Sequence, residues 1–185
     1  MSVWYRAVFM ALTVGWLTLP SVVQAAGELC HASGDYVVVE RETGAVGRDF
    51  LIKSRHVPHA IPACVYAAAA QDFEIRNETA EYFLALQGRY LILDSGTAPE
   101  PRGLIVWDLR QRRQVFAGRY ASPYTIKPGH MEYWLESAVA TDRNCPARQA
   151  WAALGLGAAL ETRVRLRFAD ARIVRSPRTR CSQRQ

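Results

Sequence analysis

The sequence predicts a mainly β protein: a single antiparallel β-meander, sandwich or barrel-like domain with one or two short helices and two disulfides. Three observations support this fold class. Short apolar runs follow one another between residues 82 and 120, and each ends in residues that favour turns. Apolar and charged residues alternate at period two elsewhere, which is typical of a strand with one buried face. The chain also has four cysteines, an even number.

The N-terminal residues 1–25 are predicted to be a secretory signal peptide. One positive charge, Arg6, precedes an uncharged run at residues 7–19, and Pro20 ends that run. Small residues at Val23 and Ala25 suit cleavage after Ala25. Residues 26–185 are then one secreted domain, periplasmic or extracellular. They contain no run of about 18 apolar residues, so no transmembrane segment is expected after cleavage.

Cys30, Cys64, Cys145 and Cys181 all follow the predicted cleavage site. In an exported chain such a set indicates two disulfides, because thiols are not kept reduced outside the cytoplasm. We favour Cys30–Cys64 with Cys145–Cys181, which ties the first and last thirds of the domain separately. A pairing that joins Cys30 to Cys181 stays open at this point.

No metal site or cofactor is predicted. His56 and His59 lie near Cys64, but Pro58 interrupts the segment, so no regular element makes their side chains converge. No CxxC spacing occurs in the sequence.

The first third of the domain is predicted to contain three strands and one helix. The strands cover residues 36–40 and 50–53 and a short segment from Phe73 to Ile75, where apolar and charged residues alternate. Residues 64–71 are rich in alanine, which favours a helix.

The central third is predicted to be a meander of hairpins. Gln87-Gly88 and Pro128-Gly129 are turn sequences, because glycine adopts positive φ readily and proline suits the preceding turn position. The paired strands are residues 82–86 with 89–93, 104–109 with 114–120, and 124–127 with 131–135. Residues 90–93 and 104–107 are apolar without alternation, which predicts central strands covered on both faces.

The last third is predicted to begin with a short helix at residues 147–154, preceded by Asn144 and ended by Gly155. A closing hairpin follows, with strands at 161–168 and 171–175. The polar tail from Ser176 is expected to be attached only through its cysteine.

Residues 91–98 read LILDSGTA, which resembles the active-site signature of the aspartic proteases. In that family an apolar strand delivers Asp-Ser/Thr-Gly-Ser/Thr into a tight turn, and two aspartates share a proton and activate water. The resemblance implies that Asp94 is a catalytic aspartate, with a homodimer supplying the second one. The residues themselves equally predict a strand that ends in a turn, with Asp94 accepting hydrogen bonds from the loop.

The charge distribution points to an anionic partner. The formal net charge is +6, and only Lys53 and Lys127 among the basic residues are lysines. Arg163, Arg165 and Arg167 alternate with apolar residues and predict a cationic sheet face. A solvated face without a partner is the alternative, and nucleic acid is not expected as a partner of an exported chain.

Aromatic residues gather around the predicted Pro128-Gly129 hairpin. Tyr120, Tyr124 and Trp134 lie there beside Arg119, and arginine with aromatic residues is typical of binding surfaces and also of sheet cores. The sequence therefore favours a non-enzymatic binding protein of the cell envelope, of the inhibitor or immunity type among others. It would contact a protein or an anionic envelope component through Arg119, Tyr120, Tyr124, Trp134, Arg163, Arg165 and Arg167. The alternative is the aspartic-type hydrolase centred on Asp94.

Overall fold

The structure, a computed structural model, describes residues 28–55 and 62–185. The predicted signal peptide and both histidines of the segment before Cys64 lie outside the described residues. Within them the protein is mainly β, as predicted, with two antiparallel sheets and one short helix. Both favoured disulfides, Cys30–Cys64 and Cys145–Cys181, are confirmed.

The first sheet has four strands in sequence order. They are β1 (Glu28–Ser33), β2 (Tyr36–Glu42), β3 (Arg48–Ser54) and β4 (Phe73–Ile75). Val38, Phe50 and Ile52 are buried on the face that packs against the second sheet.

The second sheet has seven strands, each hydrogen-bonded to the next along the chain. They are β5 (Glu81–Gln87), β6 (Tyr90–Ser95), β7 (Arg102–Asp108), β8 (Arg113–Lys127), β9 (His130–Val139), β10 (Gly157–Arg167) and β11 (Ile173–Arg184). The predicted hairpins are confirmed, with Gly88 at φ 58° and Gly129 at φ 79° in two of the turns. Helix α1 (Arg148–Ala153) precedes β10, where the sequence predicts a helix.

Strand β8 bends the second sheet into two halves. Its first part pairs with β7 and its second part with β9, and the register breaks between Ala121 and Thr125, beside Pro123. The two halves consequently face each other. Ile92 and Leu104 from one half and Val164 and Leu166 from the other share one core.

Strands β6 and β7 are covered on both faces, as predicted. Leu91 and Leu93 pack toward the first sheet, while Ile92 packs into the core between the two halves of the second. Arg165 and Arg167 of β10 are exposed on the face of β9–β11 that points away from the core, so this face presents polar side chains to solvent.

Two predictions are wrong. Residues 64–71 form no helix: they are irregular, and the Lys53 amine donates to the carbonyls of Ala63 (3.3 Å) and Val65 (2.6 Å). Alanine propensity alone does not stabilise so short a helix in water. The tail after Ser176 is not a loose segment, because β11 continues to Arg184 and pairs with β10 throughout apart from one bulge.

Candidate functional site

Strand β10 positions a row of arginines on the outer face of the second sheet. Val164 and Leu166 are fully buried in the core, and the residues that alternate with them therefore point outward. Those residues are Arg163, Arg165 and Arg167, which confirms the predicted half-buried strand.

The neighbouring strands complete a concave surface around this row. Strand β9 places Trp134 opposite Arg163 and Glu132 opposite Arg165. Strand β11 contributes further basic residues along the other side. We call the resulting depression, of about 820 Å³, the arginine groove; its charged members are Arg163, Arg165, Arg167, Arg175, Arg178 and Glu132.

Glu132 is the one acid among these groove-lining residues. Arg165 donates to its Oε1 through Nε (3.0 Å) and Nη2 (2.6 Å), and Arg163 Nη2 lies 3.8 Å from its Oε2. The hydrogen bond from Arg165 lowers the pKa of Glu132, and the charges of Arg165 and Arg163 act in the same direction. Glu132 is therefore a carboxylate at neutral pH.

The remaining arginines outnumber their acidic partners. Arg167 donates to Asp170 at the following turn. The guanidinium groups of Arg175 and Arg178 are exposed and form no hydrogen bond or ion pair with another residue in the part of the chain that the structure describes. The groove thus has a net positive charge with donors available to a ligand.

Two guanidinium groups contact the ring of Trp134. The Arg163 group lies 5.7 Å and the Arg180 group 4.5 Å from its ring centroid, within the range of cation–π attraction. Arg163 also donates to the carbonyl of Pro123 at 2.6 Å. These contacts hold the side chains of Trp134 and Arg163 in place in the groove without a ligand.

A buried ion cluster fixes β11 against β10. Glu161 is fully buried, and it accepts hydrogen bonds from Arg180 (2.6 Å) and from Arg184. The Cys145–Cys181 disulfide joins the same strand to the segment before α1. These contacts link the second half of β11, the edge strand that carries Arg178, to β10 and to the segment before α1.

The other predicted binding residues lie away from the groove. Tyr120 is 4% exposed and belongs to the core, and Tyr124 is an exposed residue whose ring meets that of Tyr120 edge-on at 5.4 Å. Arg119 donates to the carbonyl of Pro101 at 3.2 Å. Arg119, Tyr120 and Trp134 line a separate depression of about 360 Å³, so Trp134 lines both depressions.

The Asp94 carboxylate, the predicted catalytic alternative, is paired at both oxygens. Arg102 Nε lies 2.8 Å from Oδ1 and 2.7 Å from Oδ2, and the Tyr120 hydroxyl donates to Oδ1 at 2.8 Å. Burial and this hydrogen bond to Asp94 raise the pKa of Tyr120. Arg102 also donates to the carbonyl of Gly96, which follows Asp94 in the turn. None of these partners is a carboxylate.

The described ranges contain no group of three or more His, Cys, Asp or Glu side chains arranged to hold a metal ion. No helix within them is long and apolar enough to span a membrane.

Comparison with protein-family models, with curated proteins and with solved structures finds no match to this chain. The function must therefore be argued from the site itself.

Sequence reasoning did not identify Glu132, Arg175 and Arg178 as members of the site. Glu132 could have been found from the register across the Pro128-Gly129 hairpin, which the sequence does specify. Arg178 could not, because it lies in the segment that the sequence indicates to be a polar tail.

Proposed function

We propose that this protein is an exported, non-enzymatic binding protein of the cell envelope that binds an anionic partner in the arginine groove. The observation that carries the proposal is the charge of the groove: five arginines and one acid line it. Electrostatic attraction of this kind concentrates and steers an oppositely charged partner.

Export is part of the proposal. It is supported by the signal-like residues 1–25 and by two disulfides, which form and persist in oxidising compartments. The partner is an anionic envelope component or an acidic protein surface, because these present carboxylate, phosphate or sulfate groups to guanidinium donors.

The hydrolase alternative receives no support from a specific contact. Both oxygens of Asp94 are engaged by Arg102 and Tyr120, so the side chain serves as an ion-pair partner within the fold. We assign no reaction to it.

The test is a binding titration with dextran sulfate as a general polyanionic probe. Arg165→Ala/Arg178→Ala should weaken binding by about tenfold or more, because two guanidinium donors are removed from the groove. The matched control is Arg110→Ala/Arg143→Ala, which removes the same charge from exposed positions outside the groove and should change the affinity by no more than about twofold. An equal loss in both double variants would show that net charge, and not the groove, determines binding.

A further inference from the structure

The arginines of β10 form a track and not a cluster. Alternate residues of a strand are about 6.6 Å apart, so Arg163 and Arg167 are separated by about 13 Å along the strand. Guanidinium groups spread over this length do not converge on one small anion. They match a ligand that carries several anionic groups in a row.

Glu132 lies beside the middle of this track, on the β9 side. Its register partner is Arg165, and the groups that face it are the guanidiniums of Arg165 and Arg163, the His130 ring (Nε2 at 3.7 Å) and the Lys127 charge. Its side chain is 23% exposed. An anion placed between Arg163 and Arg165 therefore meets a carboxylate that is already hydrogen-bonded to Arg165 and ion-paired with Arg163.

Among the described residues that line the groove, none on the β11 side is an acid. Arg175 and Arg178 line the β11 side of the groove and are exposed. Charge is thus distributed unevenly across the groove, with the internal carboxylate on the β9 side and the available guanidiniums on the β11 side. A bound chain would run along the β10–β11 side, parallel to the strands.

We infer that Glu132 is an internal counter-ion that makes the arginine groove select linear polyanions, carrying sulfate or phosphate groups, over small anions. The inference rests on the proposed function. A small anion at the centre must compete with Glu132 for Arg165 and Arg163. A long chain also contacts Arg175 and Arg178, which form no ion pair among the described residues, so the same competition removes a smaller share of its contacts. The groove is concave, and a chain enters it more readily than a flat bilayer surface does.

The experiment compares heparin-derived disaccharide, tetrasaccharide and octasaccharide with inorganic phosphate, using the purified disulfide-bonded protein and its Glu132→Gln variant. The wild type should bind the octasaccharide about a hundredfold more tightly than the disaccharide. Glu132→Gln should bind the disaccharide and phosphate about tenfold more tightly, but the octasaccharide only about threefold more tightly. The length selectivity should therefore shrink in the variant.

The matched control is Glu42→Gln, which removes an ion-paired glutamate from the first sheet, where Arg48 lies 2.9 Å from its carboxylate. Equal gains in Glu132→Gln and Glu42→Gln would overturn the inference, because a general change of charge would then explain them. Inorganic polyphosphate of matched length, a linear phosphoanhydride chain, shows whether phosphate groups can replace sulfate groups, and binding by either kind of chain supports the inference.

Three further outcomes would also overturn it. The first is wild-type affinity that does not depend on chain length. The second is tighter binding to vesicles that contain anionic lipid than to the octasaccharide, which would assign the groove to a membrane surface. The third is octasaccharide binding by Glu132→Gln that falls. Failure of the proposed function looks different, because the wild type would then bind none of the anionic probes.

Discussion

The arginine groove and the cluster of Asp94, Arg102 and Tyr120 both pair arginine with a carboxylate on the second sheet. They differ in charge balance and in exposure. At Asp94 one guanidinium and one hydroxyl engage a carboxylate that is 13% exposed. In the groove five arginines share one lining acid, and Arg165 and Arg178 face solvent. The first arrangement uses its donors within the fold, whereas the second retains donors for a partner.

This difference shows that the more specific sequence pattern does not mark the more exposed charged site. Asp94-Ser95-Gly96-Thr97 resembles a catalytic signature, yet its carboxylate is fully engaged by its neighbours. The arginine alternation on β10 is a weaker pattern. It becomes informative because β9 and β11 bring additional charges to the same face, and charge excess at an exposed concave surface is a property of several strands together.

The largest expected effect is the loss of stability in Asp94→Asn. The substitution removes the negative charge that Arg102 and Tyr120 contact. Breaking a partly buried ion pair with hydrogen bonds to both oxygens should lower the free energy of unfolding by about 2–3 kcal/mol. Urea denaturation at neutral pH measures the free energy of unfolding. Dextran sulfate binding should remain within about twofold of wild type, since Asp94 does not line the groove.

The reciprocal control is Arg165→Ala, which should weaken dextran sulfate binding but reduce the free energy of unfolding by no more than about 0.5 kcal/mol, because its ion pair is exposed. The comparison breaks down if Asp94→Asn leaves stability unchanged and abolishes a hydrolytic activity of the purified protein.

The same contrast explains how much of the molecule the sequence predicts. Hairpin turns at Gly88 and Gly129 and the outward row on β10 depend on residues close together in the chain, and these predictions are confirmed. The strand that replaces the predicted tail depends on partners far away. Arg180 and Arg184 form ion pairs with Glu161, and Cys181 forms a disulfide with Cys145. This segment is therefore a strand because it pairs with β10, and not because of its local propensity.

The groove could be predicted in part, because some of its residues lie close together in the chain and others are brought in by distant strands. Trp134, Arg163, Arg165 and Arg167 were predicted as binding residues, and the structure brings them together in one groove. Tyr120 was in the same predicted set but contributes to the core. Tyrosine suits a core and a surface equally, and the 4% exposure of this side chain shows that it belongs to the core.

A smaller effect is expected when the Tyr120 hydroxyl is removed. Tyr120→Phe keeps the ring in the core but removes a hydrogen bond to a charged acceptor, which should lower the free energy of unfolding by about 1.5 kcal/mol. Tyr133→Phe is the matched control in the core beneath the groove, since the Tyr133 hydroxyl is buried without a hydrogen-bond partner among the described residues. The control should be neutral or slightly stabilising by urea denaturation. Equal losses in the two variants would contradict the view that Asp94 needs the hydroxyl.

The smallest expected effect is a loss of stability at alkaline pH. It depends on the charges near the same two tyrosines. Burial raises the pKa of Tyr133 from 10.0 to about 12, and the positive charge of Arg175, at the groove, opposes this rise. At Tyr120 the charge of Asp94 acts in the other direction and adds to the effect of burial.

Because the folded-state pKa of Tyr133 lies above the unfolded-state value, its contribution to stability is complete below pH 10 and is lost as the pH rises toward about 12. Between about pH 9 and pH 10.5 the wild type should therefore lose about 0.8 kcal/mol more of its free energy of unfolding than Tyr133→Phe does. Urea denaturation at the two pH values measures the difference. In an Arg175→Ala background this difference should stay the same, because folded Tyr133 is almost fully protonated at pH 10.5 with or without the opposing charge. A clearly smaller difference in either background would show that Tyr133 ionises in the folded protein well below pH 12.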